Sequence, residues 1–358
     1  MTGRSPGDAD HAARAALAQA AAAGVHCIPI PTPFLVGRVN CYLIEDDPLT
    51  LVDTGPNSGT SLDDLELALR GLGHRIEDLG LIVITHQHMD HLGLLEILAR
   101  RSGAEVAALH LLGPYLEDFA TSAVADDRFS MRVMLRHGVP SDLAGALGAV
   151  GAAFRAFGSG GTVTMKLHDG DALTLRDRTF QVSHRPGHSP SDTVFHDAER
   201  RMLLAGDHLL AHISSNPLVS RPLSAERAPI PGAGAVATTD DGADHRPHAL
   251  LDYIASMEAT RGMAADIVLA GHGPPVLDHG ALIDERLRMH GRRAGKLRRM
   301  LEPAPLTAFE LASRMWGNVA VTQAFLTISE VLGHLDLLIA DGRVAEDADG
   351  PVTRFAAI

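Results

Sequence analysis

Four side chains able to bind a metal ion fall within six residues of each other in Thr85-His86-Gln87-His88-Met89-Asp90-His91. They follow the apolar run 81–84, Leu-Ile-Val-Ile, which has the look of a strand buried on both faces. Alternation along an extended segment puts His86 and His88 on one side. Asp90 and His91 then open a helix. Imidazole and carboxylate donors suit zinc, and iron or manganese accept the same set. Three further segments share one plan, a strand or turn, a glycine, then a ligand type. They are Pro186-Gly187-His188, Ala205-Gly206-Asp207 and Ala270-Gly271-His272. Glycine lets backbone approach a crowded centre. Together the four segments supply enough donors for two adjacent metal ions.

The elements that must position these donors read as α/β over residues 25–110. Two short apolar runs, 40–44 and 49–52, form a hairpin. Leucines spaced through 61–72 predict a helix. A helix over 92–101 and a strand over 105–109 follow. Residues 113–158 concentrate five of the aromatics with Met131 and Met134, which predicts two or three inserted helices, read either as plain core or as an apolar lid. Strands return over 162–207. Residues 221–247, rich in Pro, Gly, Ala and Asp, read as a mobile loop. A helix over 250–260, a strand over 266–269 and a helix over 281–301 follow. Residues 1–24 read as a frayed helix or leader, 25–302 as the catalytic domain, and 303–358 as a separate unit of helices followed by a two-stranded wing.

These motifs, with Val52-Asp53-Thr54-Gly55, resemble the metallo-β-lactamase superfamily over roughly residues 25–300. The resemblance implies an α+β fold, a four-layer αβ/βα sandwich, here followed by a small winged-helix domain. It implies that His86, His88 and His188 hold one metal, that Asp90, His91 and His272 hold the second, and that Asp207 bridges both. Asp53 supports the ligands. The two divalent ions, most simply Zn2+ with Fe or Mn as alternatives, bring a bridging hydroxide to an electrophilic carbon or phosphorus. Asp90 orients it and takes its proton. His208 and His212, four apart on one face if helical, reach substrate as proton donors or form a polar rim. Ser189 reads as a turn residue. The carboxylate at 207, where many true β-lactamases carry cysteine, is similar to the thioesterase, lactonase and nuclease side of the superfamily.

Charge narrows the choice. The net charge is −13, which repels phosphate backbones and anionic lipid. The tail from residue 303 sets three arginines against seven carboxylates, a poor nucleic-acid wing, so a packing or homodimer role is expected of it. Residues 285–300 run the other way, with seven cations against Glu285. That segment is a solvated helix or a patch for an anion. Two cysteines, Cys27 and Cys41, can build neither a disulfide scaffold nor a Cys-based zinc site, though one bridge between them stays open, and no run is long enough to span a bilayer. The first 24 residues lack a signal peptide's apolar stretch, which predicts a cytoplasmic protein. The expected function is hydrolysis of an ester, thioester or lactone in a small molecule. A phosphodiesterase or endoribonuclease is the alternative, and a winged-helix regulator with a structural metal a third.

Overall fold

The computed structural model describes residues 6–223 and 246–358. Its first sheet has six strands in chain order. They are β1 (Val25–Ile30), β2 (Val39–Ile44), β3 (Thr50–Val52), β4 (Leu81–Ile84), β5 (Glu105–Leu109) and β6 (Met165–Leu167). β1 to β3 pair antiparallel, and β3 to β6 pair parallel. The second sheet runs in the order β11-β10-β9-β8-β7. Its strands are β7 (Ala172–Thr174), β8 (Thr179–His184), β9 (Thr193–Asp197), β10 (Met202–Gly206) and β11 (Ile267–Ala270).

Side-chain alternation explains the layering. On β4, Leu81 and Val83 enter the core between the sheets, with Phe180, Val182, Phe195 and Leu269 opposite. Ile82 and Ile84 enter a second core beneath α2 (Gly59–Gly71) and α4 (Leu95–Ser102). The far face of the second sheet packs Val194, Leu203 and Val268 on α8 (Ala249–Arg261) and α9 (His279–Leu301). Helix, sheet, sheet and helix make the expected four layers.

The structure departs from expectation at three places. The helix expected over 92–101 is two, α3 (Met89–Leu92) and α4, broken at Gly93. A Cβ there would lie 2.2 Å from both Asn57 N and Phe157 O, so the backbone needs glycine. The leader is α1 (Pro6–Ala22), which buries Ala16 and Ala20 against Val25 and Tyr42. Small alanines four apart give a flat face that hydropathy alone does not reveal. The insertion holds α5 (Leu112–Glu117), α6 (Phe119–Arg136) and α7 (Ser141–Phe154). The tail, α10 (Ala308–Trp316), α11 (Val319–Thr322), α12 (Ala324–Ala340) and the antiparallel pair β12 (Val344–Asp347) and β13 (Arg354–Ala357), shares its core with that insertion. Phe129, Val133 and Met134 pack with Leu311, Ile328, Leu335 and Phe355. Two of the insertion's apolar side chains, Phe129 and Met134, are therefore committed to the tail rather than to a lid. Most of the expected loop 221–247 lies outside the described residues. Among those described, no helix is long and apolar enough to cross a membrane.

Candidate metal centre

The candidate ligands emerge where strands of both sheets end on one rim. β3 delivers Asp53 in a left-handed conformation, φ 59°, a strained backbone for a non-glycine residue. The strain aims its carboxylate at β4. Oδ1 accepts from Thr85 N at 2.9 Å, and Oδ2 accepts from Thr85 Oγ1 at 2.9 Å and His91 Nδ1 at 2.7 Å. Because Thr85 Oγ1 gives its proton to Asp53, it accepts from His86 Nδ1 at 3.0 Å. His272 Nδ1 donates to Arg38 O at 2.8 Å. Three histidines thus have one nitrogen tied as a donor, leaving Nε2 with a free lone pair. Metal-binding histidines are oriented in this way.

Those lone pairs converge in two groups. His86 Nε2 and His88 Nδ1 are 3.1 Å apart, and His88 Nδ1 and His188 Nε2 are 2.9 Å apart. Tetrahedral zinc with bonds of about 2.0–2.1 Å would separate its nitrogens by about 3.3 Å. In the second group His272 Nε2 lies 3.2 Å from Asp90 Oδ2. Asp207 stands between the groups. Its Oδ1 is 3.5 Å from His91 Nε2, and its Oδ2 is 3.6 Å from His188 Nε2 and 3.5 Å from His272 Nε2. His91 Nε2, His272 Nε2 and Asp207 Oδ1 are buried and make no hydrogen bond. Buried polar atoms without partners are costly, so such a cluster fits metal ions that would take the lone pairs. All seven side chains named from the sequence meet here.

The electrostatics agree. Burial pushes His86 well below its ordinary value and His88 down to about 3, so both are neutral ligands at pH 7. Burial opposes ionisation of Asp207 and Asp90, but the neighbouring His91 and His272 hold both carboxylates below the usual range. Burial also opposes charge on His91, yet Asp207, Asp53 and Asp90 together raise it well above its ordinary value, so a metal ion at Nε2 would take the place of a proton there.

Residues without a motif complete the rim. Asn40 Nδ2 donates to Ala270 O and Gly273 O, both at 2.9 Å, and Tyr42 OH donates to Ala270 O at 2.7 Å. These bonds fasten β2 to the loop that carries His272. Gly271 leaves room for the bridge position, since a Cβ there would sit 2.2 Å from Asp207 Oδ1. Asp192 accepts from Ser189 N at 2.9 Å and Ser189 Oγ at 2.7 Å, and Ser191 Oγ donates to Gln87 Oε1. The turn carrying His188 is locked to the His86–His88 segment, and Ser189 has the turn role expected of it. Burial raises the Asp192 carboxyl to about 6.

His208 is corrected. Residues 207–213 are not helical, so His208 and His212 share no helical face. His212 is exposed, whereas His208 is fully buried. His208 Nε2 pairs with Thr260 Oγ1 at 2.9 Å on α8, and burial lowers its pKa to about 3. A ring so buried and uncharged is a wedge against α8 rather than a proton donor.

A sequence model of the metallo-beta-lactamase superfamily matches residues 35–272. A "Probable metallo-hydrolase YqjP" of Bacillus subtilis (strain 168) is 32% identical over 332 residues, covering 92% of this chain and 97% of that protein. A solved structure of a metallo-beta-lactamase family protein, TTHA1429 from Thermus thermophilus, superposes with a TM-score of 0.73 at 26% identity, over 94% of this chain and 99% of that one. The Homo sapiens "Acyl-coenzyme A thioesterase MBLAC2" is 46% identical over 44 residues, only 12% of this chain and 16% of that protein.

Proposed function

Because the chain belongs to the metallo-β-lactamase superfamily and is a metal-dependent hydrolase, we propose that it cleaves an ester, thioester or lactone bond in an apolar small molecule at a pair of divalent ions. Zinc suits the imidazole-rich donor set, with His86, His88 and His188 on one ion, Asp90, His91 and His272 on the other, and Asp207 between them. Two bound divalent ions supply Lewis acidity that polarises a substrate oxygen and makes water nucleophilic near neutral pH. The protein's own residues do the rest. Asp90, whose carboxyl lies below the usual range, orients the attacking water and takes its proton on the carboxylate. Asp53 and Thr85 hold the imidazole tautomers.

The observation that carries the substrate class is an apolar wall beside this centre. Arg38, whose carbonyl holds His272, ends the loop between β1 and β2. In that loop Leu35 is 92% exposed, and Phe34 meets Phe154 at a tilt and Phe157 edge-on, with ring centroids 5.5 and 6.1 Å apart. Met89, next to Asp90, and Phe119 crowd the same corner around Gly158. An exposed apolar loop next to polar ligands suits an acyl group whose carbonyl meets the metals. The short likeness to an acyl-coenzyme A thioesterase agrees with it. The test offers zinc-loaded protein acyl thioesters and lactones in one arm, and a phosphodiester and single-stranded RNA in the other, with Asp90→Asn as control. Asp90-dependent acyl cleavage supports the reading, and Asp90-dependent phosphodiester cleavage alone overturns it.

One observation favours that second reading. Arg288, Arg292, Lys296 and Arg299 are exposed at helical spacing along the solvent face of α9, and no ion pair involving them is found among the described residues. Such a stripe fits a phosphate chain. We read the acidic tail as a winged-helix unit suited to homodimer packing. The setting we propose is the cytoplasm, in keeping with Cys27 and Cys41, which are free thiols. Cys41 pairs with Ile28 in the β1–β2 register, so the two cysteines face opposite sides of the sheet.

A further inference from the structure

Resting on that two-ion reading, we infer that Arg286 on α9 is a positioning residue for Asp207. The chain leaves β10 at Gly206, presents Asp207, and then runs to residue 223 without a helix or strand. A segment with no ladder must find partners for its backbone elsewhere. Tyr253 OH, on α8, donates to His208 O at 2.7 Å, and Ser215 Oγ turns back to Asp207 O. Between these two anchors, three backbone carbonyls are gathered by one atom. Arg286 Nη2 reaches Leu210 O at 3.4 Å and Ala211 O and Ile213 O at 3.2 Å each. The carbonyls converge because a cation sits among them.

The helix carrying this arginine is itself anchored. His334 Nδ1 donates to Glu330 O at 2.6 Å, so its Nε2 accepts from His290 Nδ1 at 3.1 Å, and Arg293 pairs with Glu330. These contacts join α9 to α12. The far end of the segment is also tied to α12, through Asn216 Nδ2 to Leu326 O at 3.1 Å and Val219 N to Ser329 Oγ at 3.3 Å. Arg286 is therefore a fixed post, and the loop after Asp207 is fastened to it. A carboxylate set between two groups of imidazoles has little tolerance for a loose backbone. Partners that orient metal ligands cost about 10- to 100-fold in metal affinity when removed.

The test measures metal binding rather than turnover. Apo protein is titrated with zinc against a chromophoric chelator, and thermal unfolding is followed in parallel, for wild type, Arg286→Ala, Arg286→Lys and Arg293→Ala. Arg286→Ala is expected to bind zinc about 10- to 100-fold more weakly than wild type. Arg286→Lys restores most of the loss, because the present arrangement uses one nitrogen and lysine offers three donors on one nitrogen. Arg293→Ala breaks the pair with Glu330 and lowers the unfolding temperature, but the His290–His334 bond, one helical turn from Arg286, still holds α9 to α12, so wild-type zinc affinity is kept. The inference is overturned if Arg286→Ala binds zinc like wild type, if lysine fails to restore binding, or if Arg293→Ala weakens it equally. Wild-type protein that holds fewer than two ions overturns the two-ion reading, and this inference with it. Two ions in wild type with unchanged binding in Arg286→Ala overturn this inference alone.

Discussion

Replacing Asp53 by asparagine changes a single atom type in a side chain that touches neither metal nor substrate. Asparagine is the non-glycine residue that best tolerates a φ of 59°, so the backbone has no new reason to move. The hydrogen-bond pattern does. If the amide oxygen keeps the bond from Thr85 N, the amide nitrogen faces Thr85 Oγ1 and His91 Nδ1. A donor there forces His91 to carry its proton on Nε2, the atom that faces Asp207. It also makes the Thr85 hydroxyl an acceptor on that side, so its proton turns to His86 Nδ1 and drives the His86 proton to Nε2. One substitution thus blocks a lone pair in each ligand group. Removing one orienting partner costs about tenfold or more in metal affinity. Two such losses give about 100-fold, or about 2.7 kcal/mol. The assay is competition of apo protein with a chromophoric chelator, with circular dichroism confirming the fold. Wild-type zinc affinity in Asp53→Asn would refute the tautomer argument.

Three further outcomes follow from packing, pH and the apolar wall. Gly93→Ala would drive a methyl into Asn57 N and Phe157 O, and is expected to destabilise the protein by about 3 kcal/mol in urea unfolding. His137 is buried on Phe355, and burial, helped by Arg246 and Arg136, holds its pKa at about 3. The neutral ring thus contributes fully above pH 6.5, and the contribution fades as pH falls toward 3. Between pH 6.5 and 4.5 the wild type should lose about 2 kcal/mol more than His137→Phe, and equal losses would contradict this. Leu35→Asp should raise KM for a long-chain acyl thioester at least about tenfold while leaving an acetyl thioester unchanged, since a buried methylene contributes about 0.8 kcal/mol.

The site was legible because its donors cluster in sequence and follow apolar strands. His86, His88, Asp90 and His91 lie on one segment, and glycine marks the approach to His188, Asp207 and His272. What supports them was not legible. Asn40 meets Ala270 across 230 residues of chain, and Ser191 meets Gln87 across 104, so neither contact leaves a local pattern. His208 misled because a histidine next to a ligand resembles another site residue, whereas its ring is spent on Thr260. The tail looked self-contained because helices and a hairpin are local, but part of its core comes from Phe129, Val133 and Met134 in the insertion. Arg286 looked like one more charge in a basic helix, and only the folded loop shows it among three carbonyls.

The most direct test of the whole account is anomalous diffraction from crystals of the zinc-loaded protein. The account predicts two peaks about 3.5–4 Å apart. One should lie among His86, His88 and His188, the other among Asp90, His91 and His272, with the Asp207 carboxylate between them. A single peak, or zinc bound away from Asp207, would contradict it.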